Sequence, residues 1–205
     1  MALFYLIRHG EPDYDTVAKI GFYGFGRSFA PLSERGVAQA EKTAEDERLA
    51  DADLIICSPY TRALQTAAII SRKTNKQIVV EPELHEWLID KTNSITSSEE
   101  VALLGKEFQE YEGVYPEGCE MKWESLASMR ARMKRVAEKY ADYDKVIIVG
   151  HGMAFRTLKY IENIAPGEIV ECEYQRGQKD CEYAFNKKIN LCKFTHCVIV
   201  KHVLL

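Results

Sequence analysis

Five side chains in this sequence have the types and spacing that could carry out chemistry together: Arg8, His9, Arg62, Glu86 and His151. Arginine presents a planar fork of N–H donors suited to phosphate oxygens, and two of them can neutralise a dianion. A neutral imidazole is a competent nucleophile near neutral pH, since its ordinary pKa is about 6.5. A glutamate beside a leaving oxygen can give up a proton and later take one from water. Gly10 and Gly152 flank the two histidines and leave room for backbone or ligand to come close. The set suits transfer of a phosphoryl group. A zinc site built from His9, His85, Glu86 and His151 would use some of the same residues, but arginines beside a divalent cation are repelled by it. Glu81, Glu83 and His85 stand close enough to Glu86 in the chain to compete for its role.

The elements that must position these residues can be read from hydrophobic patterning. Leu3–Ile7 reads as a buried strand and leads directly into Arg8, His9 and Gly10. Leu54–Cys57 is a second strand, followed by Ser58, Pro59 and Arg62. Ile78–Val80 precedes His85 and Glu86, and Val146–Val149 leads into Gly150, His151 and Gly152. Between them lie helical segments: Ser33 as N-cap of a helix to about Ala50, Tyr60 to about Thr74, and a helix opened by Ser97-Ser98-Glu99-Glu100 reaching Tyr111. A long helix follows from about Trp123 to Tyr140, and another from about Met153. Pro12 to Pro31 reads as a loop rich in glycine and aromatics. The tail holds strand-like stretches at Ile169–Tyr174, Tyr183–Phe185 and Leu191–Val200. Strands alternating with helices predict an α/β sheet with helices on both faces. Ligands of such sheets bind at the carboxyl ends of the strands, so the five residues should converge on one rim.

The bulk properties narrow the partners. At 205 residues, with 46% hydrophobic and 28% charged residues, the chain fits one soluble domain. A net charge of −4 argues against nucleic acid or an anionic membrane surface as partner, while a few cations gathered in one cleft can still capture a small anion. No apolar run approaches a membrane span, and the apolar N-terminus is too short for a signal sequence, so a cytoplasmic location with reduced cysteines is expected. Cys57 lies in an apolar run and reads as core. Cys172, Cys181, Cys192 and Cys197 gather near the C-terminus, but their spacing does not match the paired ligands of a zinc ribbon. The tail strands could pair with a second copy in a homodimer, for which no residue argues specifically.

The motifs themselves resemble a known family. Arg8-His9-Gly10-Glu11 is similar to the RHG signature of the histidine phosphatase (phosphoglycerate mutase-like) superfamily. Pro31-Leu32-Ser33-Glu34-Arg35-Gly36 with Gln39-Ala40 resembles that family's PLTxxGxxQA segment. Ser58-Pro59-Tyr60-Thr61-Arg62-Ala63 with Gln65-Thr66-Ala67 resembles its second arginine motif, and Val149-Gly150-His151-Gly152 its second histidine motif. Pro116-Glu117-Gly118 looks like its P-x-G-E-S turn, with Gly118-Cys119-Glu120 in place of Gly-Glu-Ser. The five segments occur in the family's order from residue 3 to about 160.

The resemblance implies a three-layer α/β/α sandwich with a mostly parallel central sheet, formed by residues 1–205 as one domain with about 87–121 inserted as a partial lid. It implies that His9 attacks phosphorus, that Arg8, Arg62 and His151 bind the phosphoryl oxygens, and that Glu86 serves as acid and then base, with no metal or organic cofactor. The expected function is a phosphomonoesterase acting on a small phosphorylated metabolite. A cofactor-dependent phosphoglycerate mutase would want extra cations in the lid, where only Lys91 and Lys106 occur. A phospho-ligand binding module that has lost catalysis is the third reading, and all five residues being present argues against it. The aromatics Tyr14, Phe22, Tyr23, Phe25 and Phe29, with Trp87, Tyr111, Tyr115 and Trp123, are expected as core, with some of them roofing the cleft.

Overall fold

Five strands form one sheet in the computed structural model of the chain, which describes residues 1–185. β1 (Ala2–Arg8), β2 (Leu54–Cys57), β3 (Ile78–Val80), β4 (Lys145–Gly150) and β5 (Ile169–Tyr174) stand in the order β3-β2-β4-β1-β5. The first four run parallel, and β5 pairs antiparallel with β1 at the edge. Register decides where the strands end: Arg8 lies opposite Gly150, and Cys57 opposite both Val149 and Val80. Four carboxyl ends therefore finish on one rim.

Near-continuous apolar strands are what a sheet covered on both faces requires. Side chains alternate, so Phe4, Leu6, Leu54, Ile56, Val146 and Ile148 face one side. There they meet Met133, Val136 and Ala137 of α5 (Leu126–Lys139) and Ala154 and Phe155 of α6 (Gly152–Phe155). Tyr5, Ile7, Ile55, Cys57, Ile147 and Val149 face the other side. They pack on Ala44 of α2 (Glu34–Ala44) and on Ala63, Ala67 and Ile70 of α3 (Thr61–Thr74). This is the expected α/β/α sandwich.

A third cluster gathers beside the sheet, where the segment expected as a lid folds. Its centre is Phe108 of α4 (Ser98–Glu110), with ring centroids 4.7 Å from Trp87 and 5.4 Å from Trp123. Ser97 caps α4 by accepting from Glu100 N, as the Ser-Ser-Glu-Glu pattern implies.

Several boundaries differ from the sequence reading, each for a local reason. The helix expected to reach Ala50 stops at Ala44, because the Asp46 carboxylate accepts from Arg48 N and starts a separate 3-10 turn over Glu47–Leu49. The long helix begins at Leu126 rather than Trp123, with Ser125 as its cap. The first loop is not structureless. Asp13 caps α1 (Tyr14–Ala18), and a 3-10 turn covers Gly24–Phe29. The helix expected from Met153 is a single turn begun at Gly152. Tyr183–Phe185 is not a strand, and its two rings pack against Phe108 instead. Leu191–Val200, Cys192 and Cys197 lie outside the described residues. None of the described helices is long and apolar enough to cross a membrane.

Candidate active site

His9 follows the last residue of β1, and its amide donates to Gly150 O at 3.0 Å, carrying the β1–β4 ladder one step past the strand end. His151 follows β4 and caps α6. Arg62 stands in the first turn of α3, whose entry is fixed by Ser58 N donating to Val149 O at 3.0 Å. These three side chains meet. All are buried, and the two imidazole rings lie 5.0 Å apart between centroids, edge to face.

Hydrogen-bond partners fix the tautomer of His9. Its Nδ1 lies 2.6 Å from Gly10 O, and a carbonyl can only accept, so Nδ1 carries the proton. Its Nε2 then keeps the lone pair, which accepts from Arg62 Nε at 3.0 Å. By the same logic His151 Nδ1 accepts from Arg62 Nη2 at 3.4 Å, and His151 Nε2 donates to Ser58 Oγ at 2.7 Å. Arg62 Nη1 donates to the backbone carbonyl of Arg27 at 3.1 Å.

Every one of those acceptors is neutral, so among the described residues the buried Arg62 guanidinium has no carboxylate partner. Arg8 is only half-buried, but its acceptor is also neutral: Nη1 donates to Ile164 O at 2.7 Å, while Nε is buried with no hydrogen-bond partner among the described residues. A buried cation without a counter-charge is costly unless an anion is meant to arrive. The surplus positive charge also acts on the imidazoles. Burial and then Arg62 push the His9 pKa down to about 3. Burial, His9 and Arg62 hold His151 well below the usual imidazole range. Both rings are neutral at pH 7.

The Glu86 carboxylate reaches the same rim from the segment after β3. Oε1 accepts from Trp87 N at 2.9 Å and Ala154 N at 3.1 Å, and Oε2 accepts from Met153 N at 3.3 Å. It therefore sits over the first turn of α6, beside His151. Its neighbours in sequence are committed elsewhere: Glu81 accepts from Lys139 Nζ at 2.5 Å and from the Tyr140 hydroxyl, and Glu83 pairs with Arg135. His85 turns Nδ1 to Glu86 O at 2.7 Å and stacks over Tyr60.

What holds the Glu86 segment is a buried ion pair that the sequence reading missed. Arg132 Nε and Nη2 donate to the two oxygens of Glu124 at 2.8 and 2.9 Å, and both side chains are about 95% buried (5% and 4% exposed). Arg132 Nη1 also donates to Glu83 O and His85 O, each at 2.7 Å. Trp87 Nε1 donates to Glu124 O at 2.8 Å. The expected family turn was matched to Pro116-Glu117-Gly118, with Cys119-Glu120 in place of its Glu-Ser, but Glu120 pairs with Lys91 on the surface. Glu124-Ser125, immediately before α5, supplies the glutamate that pairs with Arg132 and the helix cap. The visible signal was a Glu-Ser pair at a helix start followed by an arginine eight residues on.

The remaining motif residues fasten backbone. Gly10 N donates to Thr66 Oγ1 at 3.1 Å, Glu11 N to Gln39 Oε1 at 2.8 Å, and Leu32 N to Gln65 Oε1 at 2.7 Å. The first loop is closed at its base by a bridge between Pro12 and Leu32. Of its aromatics, Tyr14 lies under the guanidinium of Arg27 at 4.0 Å, and Phe22, Phe25 and Phe29 stay exposed. Tyr23 joins Trp87, Tyr111, Tyr115 and Trp123 in the third cluster. Among the described residues no group of three His, Cys, Asp or Glu side chains could hold a metal ion, so His9, His85, Glu86 and His151 do not form the zinc site considered above.

The family model of the histidine phosphatase superfamily, branch 1, matches residues 4–178 of this sequence. The chain belongs to the histidine phosphatase superfamily. Among curated superfamily members it is 31% identical over 166 residues to the protein named probable phosphoglycerate mutase GpmB of Photorhabdus laumondii, covering 77% of this chain and 73% of that one. It is 30% identical over 157 residues to uncharacterized phosphatase PhoE of Bacillus subtilis, covering 75% and 73%. The fold matches the alpha-ribazole phosphatase of Shigella flexneri with a TM-score of 0.64 at 18% identity, over 93% of this chain and 100% of that one. Phosphatase and mutase names thus both occur among the proteins it resembles.

Proposed function

We propose that this histidine phosphatase superfamily member is a metal-independent phosphomonoesterase that works through a phosphohistidine on His9. The observation that carries the reading is the His9 tautomer, whose Nδ1–H is held by Gly10 O while the Nε2 lone pair faces Arg62. Arg62, Arg8 and His151 would hold the phosphoryl oxygens, the uncompensated guanidiniums gaining a counter-charge when the ester binds. His9 Nε2 then forms a bond to phosphorus as the ester P–O bond breaks. The positive charge that develops on the ring is stabilised through Nδ1–H by the Gly10 carbonyl. Glu86 gives its proton to the leaving alcohol. In the second half water attacks phosphorus, Glu86 takes the proton, the P–N bond breaks, and neutral His9 is restored. Oε1 of Glu86 already accepts two amides and Oε2 only one, so Oε2 is the atom with room to carry the proton.

A mutase reading draws on the GpmB relatives and needs cations that hold a second anionic group. Of the two lid lysines, Lys91 is engaged with Tyr115 and Glu120, which favours hydrolysis. The test is a panel of phosphate esters, 3-phosphoglycerate included, assayed with excess chelator. Phosphate release that persists with chelator supports the phosphatase. Interconversion of phosphoglycerates without release gives the assignment to the mutase. Phosphate binding without either reaction gives it to the binding module.

A further inference from the structure

Three phenylalanines of the first loop are exposed although nothing in a soluble surface calls for them: Phe22 at 41%, Phe25 at 45% and Phe29 at 55%. They form one patch. Phe22 and Phe29 have ring centroids 5.8 Å apart, and Phe25 meets Phe29 edge to face at 6.3 Å. Contiguous exposed apolar surface of this kind marks a binding face more often than a chance of composition.

The patch runs straight into the candidate active site. Phe25 stands edge to face with Tyr60 at 6.2 Å, and Tyr60 stands edge to face with His151 at 5.0 Å. The Arg62 guanidinium lies 5.0 Å from the Tyr60 ring, and His85, next to Glu86, stacks over the same ring at 6.4 Å. Tyr60 therefore links the phosphate-facing arginine, the glutamate segment and Phe25. The turn that carries the phenylalanines is also held to the site, because Arg62 Nη1 donates to Arg27 O within it. Gly24 adopts a φ of +51°, a left-handed conformation that glycine takes without strain and that shapes the turn's entry. The patch is consequently held beside Tyr60, which touches Arg62, His151 and His85 next to Glu86.

We infer that Phe25, backed by Phe22 and Phe29 and continued inward by Tyr60, is the leaving-group surface of this site and selects phosphomonoesters of ring-bearing alcohols. A phosphate held by Arg62 would place the ring of its alcohol along Tyr60 and onto Phe25, where offset or edge contacts and loss of water favour it. This inference rests on the phosphatase reading above.

The experiment compares kcat/KM for 2-phenylethyl phosphate and ethyl phosphate, whose leaving alcohols are chemically alike at the oxygen and differ in the ring. The parent protein should favour the phenylethyl ester by about tenfold or more, the scale of discrimination an apolar pocket gives. Phe25→Ala should erase most of that ratio, and Phe25→Leu, which keeps an apolar contact, should retain part of it. Phe25 is half exposed, so neither change removes core. Hydrolysis of both esters with a ratio near one in the parent, or a ratio unchanged by Phe25→Ala, overturns this inference and leaves the phosphatase standing. Hydrolysis of neither ester overturns the phosphatase reading and this one with it. An unchanged ratio together with a dimer that Phe25→Ala dissociates would give the patch to a second copy of the chain.

Discussion

Gly10 and Gly36 stand back to back: a Cβ on Gly10 would lie 2.2 Å from Gly36 O, and a Cβ on Gly36 would lie 2.1 Å from Glu11 O. The contact joins the loop that bears His9 to the first turn of α2. Ser33 completes it, its amide donating to Glu11 O at 2.9 Å and its hydroxyl to Glu11 Oε1 at 3.1 Å. Two motifs separated in sequence thus fix one backbone.

Gly36→Ala should therefore cost stability and activity together. The added methyl must displace backbone rather than a flexible side chain, which places the loss at roughly 1–3 kcal/mol. Chemical denaturation and kcat on the same variant check this. A variant as stable and as active as the parent would contradict the close approach.

Glu86→Gln tests proton delivery without emptying the space, since an amide oxygen can still accept from the Trp87 and Ala154 amides. The expected loss is about 10²–10⁴ in kcat for alkyl esters. In kcat/KM, which covers only formation of the phosphoenzyme and so leaves out the later base step, the loss should be much smaller for p-nitrophenyl phosphate, whose leaving group needs no proton. An equal loss of kcat/KM on both substrates would show that Glu86 does not act as the acid.

Arg132 and Glu124 position the Glu86 segment and touch no reacting atom. Removing one partner leaves a buried charge unpaired, so Arg132→Met should destabilise by about 3–5 kcal/mol. Arg132→Met with Glu124→Met should recover much of that stability. It should not recover activity, because the donors to Glu83 O and His85 O are still missing. The diagnostic split is between leaving groups: the double variant should lose more kcat/KM, which ends at the phosphoenzyme, on alkyl than on p-nitrophenyl esters. Parallel losses would reduce the pair to a purely structural role.

The contrast between those residues shows what the sequence makes legible. His9, Arg62 and His151 were readable because each follows an apolar run, and parallel strands of matched register deliver such residues to one rim. The sandwich was readable for the same reason. Glu124 had only a local signal, the Glu-Ser pair with an arginine eight residues on; its purpose lies in the carbonyls of Glu83 and His85 that Arg132 holds, which no pattern of side-chain types encodes. Arg27 escaped notice because it serves through its backbone oxygen. Trp123 looked like the start of a helix and is instead a buried ring of the third cluster before it, since the cap two residues later at Ser125 sets the boundary.

Acid should weaken the fold through the same histidines. His9 has a pKa of 6.5 in the unfolded chain and about 3 when folded. Between those values the unfolded state binds the proton and the folded state does not. Stability is therefore full above about pH 6.5 and falls toward pH 3, by about 1.4 kcal/mol per pH unit for one such group. His151 acts with the same sign. Unfolding free energies from pH 7 to 4.5 should fall more steeply for the parent than for His9→Ala, by up to that amount per unit. Identical slopes would contradict the buried neutral imidazole.

The central claim is a covalent bond between phosphorus and His9 Nε2. It is tested most directly by quenching the protein into alkali during turnover of p-nitrophenyl phosphate and mapping bound phosphate by mass spectrometry. The expected result is phosphate on His9 and nowhere else, with neither label nor turnover in His9→Ala. Phosphate on another side chain, or undiminished turnover by His9→Ala, would contradict the mechanism.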